Sequence, residues 1–296
     1  PCIKIWHQNQ MAERIGSGKF IGFPIFELDT FSDLEKHHLL ACDELMVCSQ
    51  WARRVVTGNN FGYYKADGRP KLPPKTHVVP LGVDTELFPP APVRQDDKTI
   101  FFNCGKWEVR KGHDILIKAF KKVLEHDARA ELWMMCSNPF NTRMEDARWK
   151  KLYKFPKVSI IPRAETQQDV YNIMSEVDCG VFPSRGEGWN LELLEMMSCG
   201  KHVIATDYSA HTEFCTKENA QLLPIDGVEP AFDGKWFFNQ GNWAKITEKE
   251  VDALSDLMIS FINNKKGKIN KSGIETASKY NWENTAKEII KCLNQS

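Results

Sequence analysis

Long hydrophobic runs are missing from this 296-residue chain, and so is any surplus of charge of one sign. No apolar stretch approaches the roughly 18–20 residues of a membrane-crossing helix. Lysine plus arginine and aspartate plus glutamate both number 39, so no overall field draws the chain to nucleic acid or to an anionic membrane. Paired cysteine motifs are missing too. The nine cysteines stand singly at 2, 42, 48, 104, 136, 179, 199, 215 and 292, an odd number without one C-x-x-C. That spacing argues against a zinc ribbon or a disulfide framework and predicts reduced core residues of a cytoplasmic protein. Low-complexity tracts and short-period repeats are absent, and the sequence opens at Pro1 rather than Met, with no signal-peptide pattern. What is left is the composition of a globular protein with length enough for two cores.

The informative stretch is 178–200. Asp178 to Phe182 is a short apolar run that reads as a buried strand, and Pro183, Ser184, Gly186 and Gly188 break it into a loop. Apolar residues then fall at 191, 193, 194, 196 and 197, which predicts a helix with Asn190 as N-cap and Gly200 at its end, where a positive φ is wanted. A strand, a Gly-rich loop and a helix start present free N–H groups at the positive end of a helix dipole, a ready phosphate site. Glu187 and Glu195 flank that mouth. Phosphate alone would not select two acidic neighbours, whereas vicinal hydroxyls would, because a carboxylate accepts two hydrogen bonds from a diol. A ligand with a sugar on each side of a diphosphate, a nucleotide-sugar, meets both demands. Glu192 reads as an acidic first-turn residue that favours the dipole.

Glu187-Gly188-Trp189-Asn190-Leu191 through Glu195, followed by Cys199-Gly200, resembles the Glu-x7-Glu signature of glycosyltransferase family 4, whose members are retaining nucleotide-sugar transferases. The usual pattern has a second glycine at the place of Asn190 and often a proline at that of Glu192. The resemblance implies an α/β fold of the GT-B type, with two Rossmann-like doubly wound domains. It also implies a hexosyl-type, metal-independent transferase whose donor is a nucleoside-diphosphate sugar and which needs no cofactor. Glu187 would hold the donor sugar and Glu195 the ribose, with the backbone of Gly188, Trp189, Asn190 and Leu191 at the diphosphate.

The remaining segments are placed by their own patterns. Cys2 to Gln10 begins as a strand and ends at His7, a histidine that is either a structural hydrogen-bonder or, by the resemblance, the residue that reaches the donor sugar. Phe20 to Leu28 reads as a strand, Leu34 to Ala41 as a short helix, 43–49 as a strand and Gln50 to Val56 as a helix. Asp43 before one strand echoes Asp178 before another, which fits a chain of two similar halves. Residues 57–75 read as a loop. Pro80, Gly82, Val83, Asp84 and Phe88 match the family's interdomain crossing; Gly82 is either a turn beside the donor or a plain interdomain turn. Pro89 to Pro92 reads as a linker.

In the second half, Thr99 to Cys104 reads as a buried strand and Ile115 to Leu124 as a helix. The loop between them carries Lys106, Arg110 and Lys111: surface charge taken alone, a diphosphate clamp in the family's context, with Lys106 where the family has arginine. Lys111 is accordingly counted with Glu187 and His7 among the catalytic residues. Ala130 to Cys136 and Val158 to Arg163 read as strands, Met144 to Tyr153 and Asp169 to Ser175 as helices; the resemblance places Arg163 at the nucleobase. Val203 to Thr206 reads as a strand and 216–245 as irregular, its aromatics taken for packing with a sugar platform left open. Helices end the chain over 248–263 and up to Leu293.

The expected domains are 1–90, a partial acceptor-side unit with its linker; 91–278, the nucleotide-sugar unit; and 279–296, a helix crossing back. Only about 90 residues precede the linker, against the 150–200 or so of a full unit, so a fragment lacking the first part is expected, with weak transfer to added acceptors. Expected partners are the nucleotide-sugar and a sugar, lipid or protein acceptor, with no nucleic acid and with peripheral membrane contact confined to the missing part. Rival readings are another GT-B enzyme, an epimerase or a phosphorylase, and a nucleotide-sugar-binding module without transfer.

Overall fold

Two parallel sheets follow one another along the chain in a computed structural model that describes residues 1–58, 63–64 and 70–294. Part of the loop expected over 57–75 lies outside the described residues. The first unit runs β1 (Cys2–Trp6), β2 (Phe20–Pro24), α1 (Asp33–Leu40), β3 (Glu44–Val47), α2 (Gln50–Thr57), a small ribbon of β4 (Tyr63–Tyr64) and β5 (Pro70–Lys71), and β6 (Lys75–Val78). Its sheet has the order β1-β2-β3-β6, with every pair parallel.

The second unit runs β7 (Thr99–Gly105), α3 (His113–His126), β8 (Ala130–Cys136), α4 (Arg143–Leu152), β9 (Val158–Ile160), α5 (Gln167–Ser175), β10 (Cys179–Phe182), α6 (Leu191–Ser198), β11 (His202–Thr206), α7 (His211–Phe214) and β12 (Gln221–Leu223). The order is β12-β11-β10-β7-β8-β9, again parallel. From β7 the chain builds outward through β8 and β9, then returns to lay β10 on the other side. The strand order therefore reverses between β7 and β10, and ligands of open α/β sheets bind outside the C-terminal strand ends at such a point.

The echo between Asp43 and Asp178 is structural. The Asp43 carboxylate accepts from the Phe20 N–H at 2.7 Å and its own N–H donates to Phe20 O at 2.8 Å. Asp178 does the same to Ile100, at 2.7 and 2.9 Å. Each aspartate thus ties the start of its strand to the start of the neighbouring one, satisfying N–H groups that the ladder leaves open.

Beyond β12 come the antiparallel hairpin β13 (Val228–Phe232) and β14 (Phe238–Ala244), then α8 (Glu248–Asn264), α9 (Lys271–Lys279) and α10 (Trp282–Asn294). The stretch expected to be irregular over 216–245 therefore holds three strands. The strand expected over Phe20–Leu28 stops at Pro24; Phe26 and Phe31 stay in the first unit's core, while Ile25, Glu27, Leu28 and Asp29 meet residues 186–188 and 241–243. Pro89 to Pro92 is no free linker: Ala91 is buried, its N–H donates to Cys199 O at 3.0 Å, and the Ser198 hydroxyl donates to Phe88 O at 2.6 Å. One apolar cluster joins Ile21, Phe23 and Met46 of the first sheet to Phe102 and Phe182 of the second and to Leu194 of α6. The start of α10 packs on the first unit, where Thr285 donates to Pro80 O at 2.8 Å. No helix among the described residues is long and apolar enough to cross a membrane, and all nine cysteines are free.

Candidate functional site

The loops after β7 and β10 meet at the reversal of strand order. Gly112 has φ +72°, and a Cβ there would lie 2.1 Å from Pro183 O, so only glycine lets the two loops touch. Arg185 then ties them, donating to both Asp114 oxygens at 2.7 and 2.8 Å, while its N–H donates to Arg110 O at 2.7 Å.

This closure buries the loop end of the motif. Glu187 is 4% exposed. Its carboxylate receives Lys111 Nζ at 2.8 Å, Arg110 at 2.9 Å and the Ser184 hydroxyl at 2.7 Å, and its N–H donates to Ser209 at 2.9 Å. Burial alone would push the Glu187 carboxyl up, but Lys111 and Arg110 together outweigh it and hold the group well below the carboxylate range. Arg110 is spoken for on every side. Besides Glu187 it donates to Gly186 O at 2.8 Å and to Glu108 at 2.9 Å, with Glu27 at 3.9 Å. Burial opposes its charge, yet these three carboxylates keep it firmly protonated. The expectation that Arg110 joins a diphosphate clamp is thus at odds with its geometry, since its donors already face carboxylates and a carbonyl.

The helix end of the motif opens on a cleft of about 540 Å³ at the ends of β7, β8 and β9. Gly105, Lys106, Arg163, Leu191, Glu192 and Glu195 are among its lining residues. Lys106 reaches over the Phe140 ring, 5.3 Å from its centre. Burial, with Glu192 one turn away adding to it, pushes the Glu195 carboxyl up to about 8, and no hydrogen bond among the described residues compensates. Asn190 caps the helix, accepting from Leu193 N–H at 3.1 Å. Its φ of +89° lies in the left-handed region, which accounts for glycine in the usual pattern at this place. The Asn190 amide also donates to His211 Nε2 at 2.9 Å, while His211 Nδ1 lies 3.0 Å from Thr206 O, a chain that fixes a neutral imidazole. The N–H groups of Leu191 and Glu192 remain among the helix's free donors.

The structure therefore gathers Lys106, Arg163, Leu191 and Glu195 in one cleft and Arg110, Lys111 and Glu187 in a buried cluster behind it. Lys111 bridges the two: its Nζ would lie 3.8 Å from a Cβ on Gly105, and a Glu192 oxygen 3.7 Å from the same point. Other expected residues stand elsewhere. His7 is exposed beyond β1, its ring edge-on to Trp6, and no hydrogen bond or ring contact among the described residues joins it to these loops. Gly82 lies under the start of α10, where a Cβ would meet Trp282 N at 2.2 Å, so its smallness serves the returning helix and not the donor cleft. The Trp189 side chain packs on Phe214 and Tyr280 in the core, leaving only its backbone for a ligand. The sequence reading missed Glu27 and Glu108 as Arg110's partners, and it gave Glu192 to the dipole alone. Glu27 ends the apolar run that follows β2, and that position was its one visible signal. Among the described residues no group of three or more His, Cys, Asp or Glu side chains is placed to hold a metal ion.

Solved structures with this architecture include sucrose-phosphate synthase from Thermosynechococcus elongatus (17% identity, TM-score 0.69, 94% of this chain and 67% of that one). HepE of Anabaena, solved with UDP and glucose, matches at 14% identity and TM-score 0.68, over 94% of this chain and 72% of that one. The fold is GT-B. By sequence, residues 97–232 match the family model described as Glycosyl transferases group 1. A putative glycosyltransferase of a Sulfolobus islandicus filamentous virus is 22% identical over 93% of this chain and 74% of its own length. The D-inositol 3-phosphate glycosyltransferase of Corynebacterium urealyticum is 25% identical over 72% of this chain and 49% of its own. The GT-B chain thus spans about three quarters of the viral relative and about half of the bacterial one.

Proposed function

We propose that this GT-B chain binds a nucleoside-diphosphate sugar and transfers the sugar to an acceptor with retention of anomeric configuration and without a divalent metal. One observation carries the reading: at the reversal of strand order, a helix N-terminus, Lys106 and Arg163 share a cleft with Glu195, whose carboxyl has no hydrogen bond or ion pair among the described residues. The free N–H groups of the first α6 turn and Lys106 take the diphosphate; Lys111, whose ammonium has donors beyond the one on Glu187, completes the charge. Glu195 takes ribose hydroxyls, and Arg163 faces the base. As the sugar's bond to the diphosphate breaks and its bond to the acceptor oxygen forms on the same face, the acceptor's proton passes to the departing diphosphate oxygen, and these preset charges stabilise the leaving group. Matches to group 1 glycosyltransferases, and structural neighbours solved with UDP, support this choice of donor.

Donor binding without transfer is the second reading, and it also rests on an observation. A Cβ on Gly188 would lie 2.6 Å from Ile25 Cγ2, and one on Gly186 the same distance from Glu27 O. Residues 25–27 therefore sit directly on the Glu187 loop, and a sugar reaches Glu187 only when they move. Thermal unfolding with UDP, GDP and ADP and their sugar conjugates tests the donor site: a ligand at about 100 times its Kd adds roughly 2.7 kcal/mol. No shift with any of them removes the proposal. Release of nucleoside diphosphate from the stabilising donor then separates transfer or hydrolysis from binding alone.

A further inference from the structure

A second cavity, of about 320 Å³, lies on the far side of the loops that wall the nucleotide cleft. Its walls are the Trp107–Trp149 pair, stacked at 5.6 Å and 11°, and the half-exposed Trp236 from the turn between β13 and β14. The aromatics of this region fall into three groups, one of them the exposed Phe232–Phe238 pair at 6.2 Å, away from the cavity. Phe237 and Trp243 pack on each other and on the buried Leu28, whereas Trp236 and Phe140 stand 50% and 58% exposed with their rings edge-on at 5.8 Å. The cavity's mouth is built and held: Lys235 Nζ donates to Phe140 O at 2.6 Å, Asn141 at 3.1 Å and Glu145 at 3.1 Å. Phe140 separates the two hollows, with Lys106 of the nucleotide cleft over its ring and Trp236 of the second cavity at its edge.

Charge selects the occupant. The cavity's four carboxylates are already engaged, Glu108 by Arg110, Asp114 by Arg185, Glu145 by Lys235 and Asp233 by backbone N–H groups, which with Arg148 leaves little net charge of either sign. A second phosphate or an anionic membrane surface would find no surplus of positive charge there to hold it. A neutral polyhydroxylated ring needs none: aromatic faces accept its C–H edges, and carboxylates and amides keep lone pairs for its hydroxyls. We propose that this cavity is a carbohydrate subsite, holding the non-reacting part of an acceptor oligosaccharide beside the donor cleft. The acceptor role rests on the proposed transferase function; carbohydrate binding itself does not.

Mannohexaose, cellohexaose and maltohexaose serve as neutral probes, alongside vesicles containing phosphatidylglycerol. At least one hexasaccharide is expected to bind, to shift the Trp236 indole N–H resonance of the unaltered protein, and to lose affinity by about tenfold or more in Trp236→Ala. Phe238→Ala removes an equally exposed ring outside the cavity and is expected to leave glycan affinity unchanged. Absence of binding by all three at millimolar concentration, or binding that leaves the Trp236 resonance still, overturns the subsite. Vesicle binding that falls alike in both variants assigns the rings to a membrane surface instead. UDP affinity, followed in the same samples, is expected to survive Trp236→Ala. Glycan binding without UDP binding sinks the donor reading alone, and UDP binding without glycan binding sinks this one alone.

Discussion

Glu187 and Glu195 belong to one motif, with seven residues between them, yet the two ends of that motif live in opposite electrostatic surroundings. At the loop end, Glu187 is buried between Lys111 and Arg110 and held ionised. At the helix end, Glu195 faces a cleft with Glu192 beside it and no partner among the described residues, and its carboxyl rises to about 8. The contrast shows what a shared spacing can conceal. One carboxylate is structural before any ligand arrives, locking the cations of the neighbouring loop in place. The other lines the cleft half-buried, with no hydrogen bond among the described residues, and so keeps its oxygens for a ligand's hydroxyls.

The largest effect should come from breaking the loop end. Glu187→Gln leaves Lys111 without its 2.8 Å partner and Arg110 with one carboxylate fewer. Removing one member of a buried pair costs about 3–5 kcal/mol, read as a loss of urea stability. The pH dependence has a definite sign. Glu187's folded value lies below its unfolded one, so its contribution is complete above about pH 4.3 and is lost as pH falls toward the folded value. Next in size is the cleft: Lys106→Ala and Lys111→Ala should each weaken nucleoside diphosphate binding by roughly 1.5–3 kcal/mol, less than additively, whereas Arg110→Lys should act on stability first. Calorimetry showing equal diphosphate affinity in a folded Lys106→Ala, Lys111→Ala double variant would remove both lysines from the phosphate site.

Breaking the helix end should act the other way. Glu195's folded value, about 8, lies above its unfolded one near 4.3, so the folded chain keeps a proton that the unfolded chain has lost. Stability then falls as pH rises through that window, and Glu195→Gln should recover on the order of 1–2 kcal/mol at pH 9, discounted for the water of the cleft, with little change at pH 4. The same variant should lose nucleoside diphosphate affinity. The smallest effect belongs to the joint between the two ends. Asn190→Gly relieves a φ of +89° but forfeits the cap on Leu193, so it should stay within about 1 kcal/mol of neutral; Asn190→Ala keeps the strain, loses the cap and should cost about 1–2 kcal/mol in thermal melts.

Much of this was legible because it is local. The strand, loop and helix of 179–198 follow from an apolar run, two glycines and a cap, and Gly200 does take a positive φ of 70°. Lys106 and Arg163 were named only through the family resemblance, and the cleft they line with Leu191 and Glu195 forms where strand ends of one parallel sheet converge. What escaped depends on contacts distant in sequence. Glu108 stands two residues from Arg110, but nothing near it announces that Glu27 and Glu187 complete the enclosure. Gly82 is explained only by Asn281 and Trp282, two hundred residues on. The β13–β14 hairpin read as irregular because its burial alternates weakly and its fixing contacts, Asn242 to Asp29 and Ala244 to Arg185, lie in other units.

The difference between the two carboxylates can be read directly by carbon NMR of the glutamate carboxyls as pH is varied, with Glu187→Gln and Glu195→Gln as assignments and UDP absent, then present. Without ligand, Glu195 should titrate near 8 and Glu187 should stay ionised from pH 9 down to 4; UDP should move the Glu195 resonance and leave Glu187's state unchanged. A Glu195 that titrates in the ordinary carboxylate range and ignores UDP, or a Glu187 that takes up a proton within that span, would contradict the account.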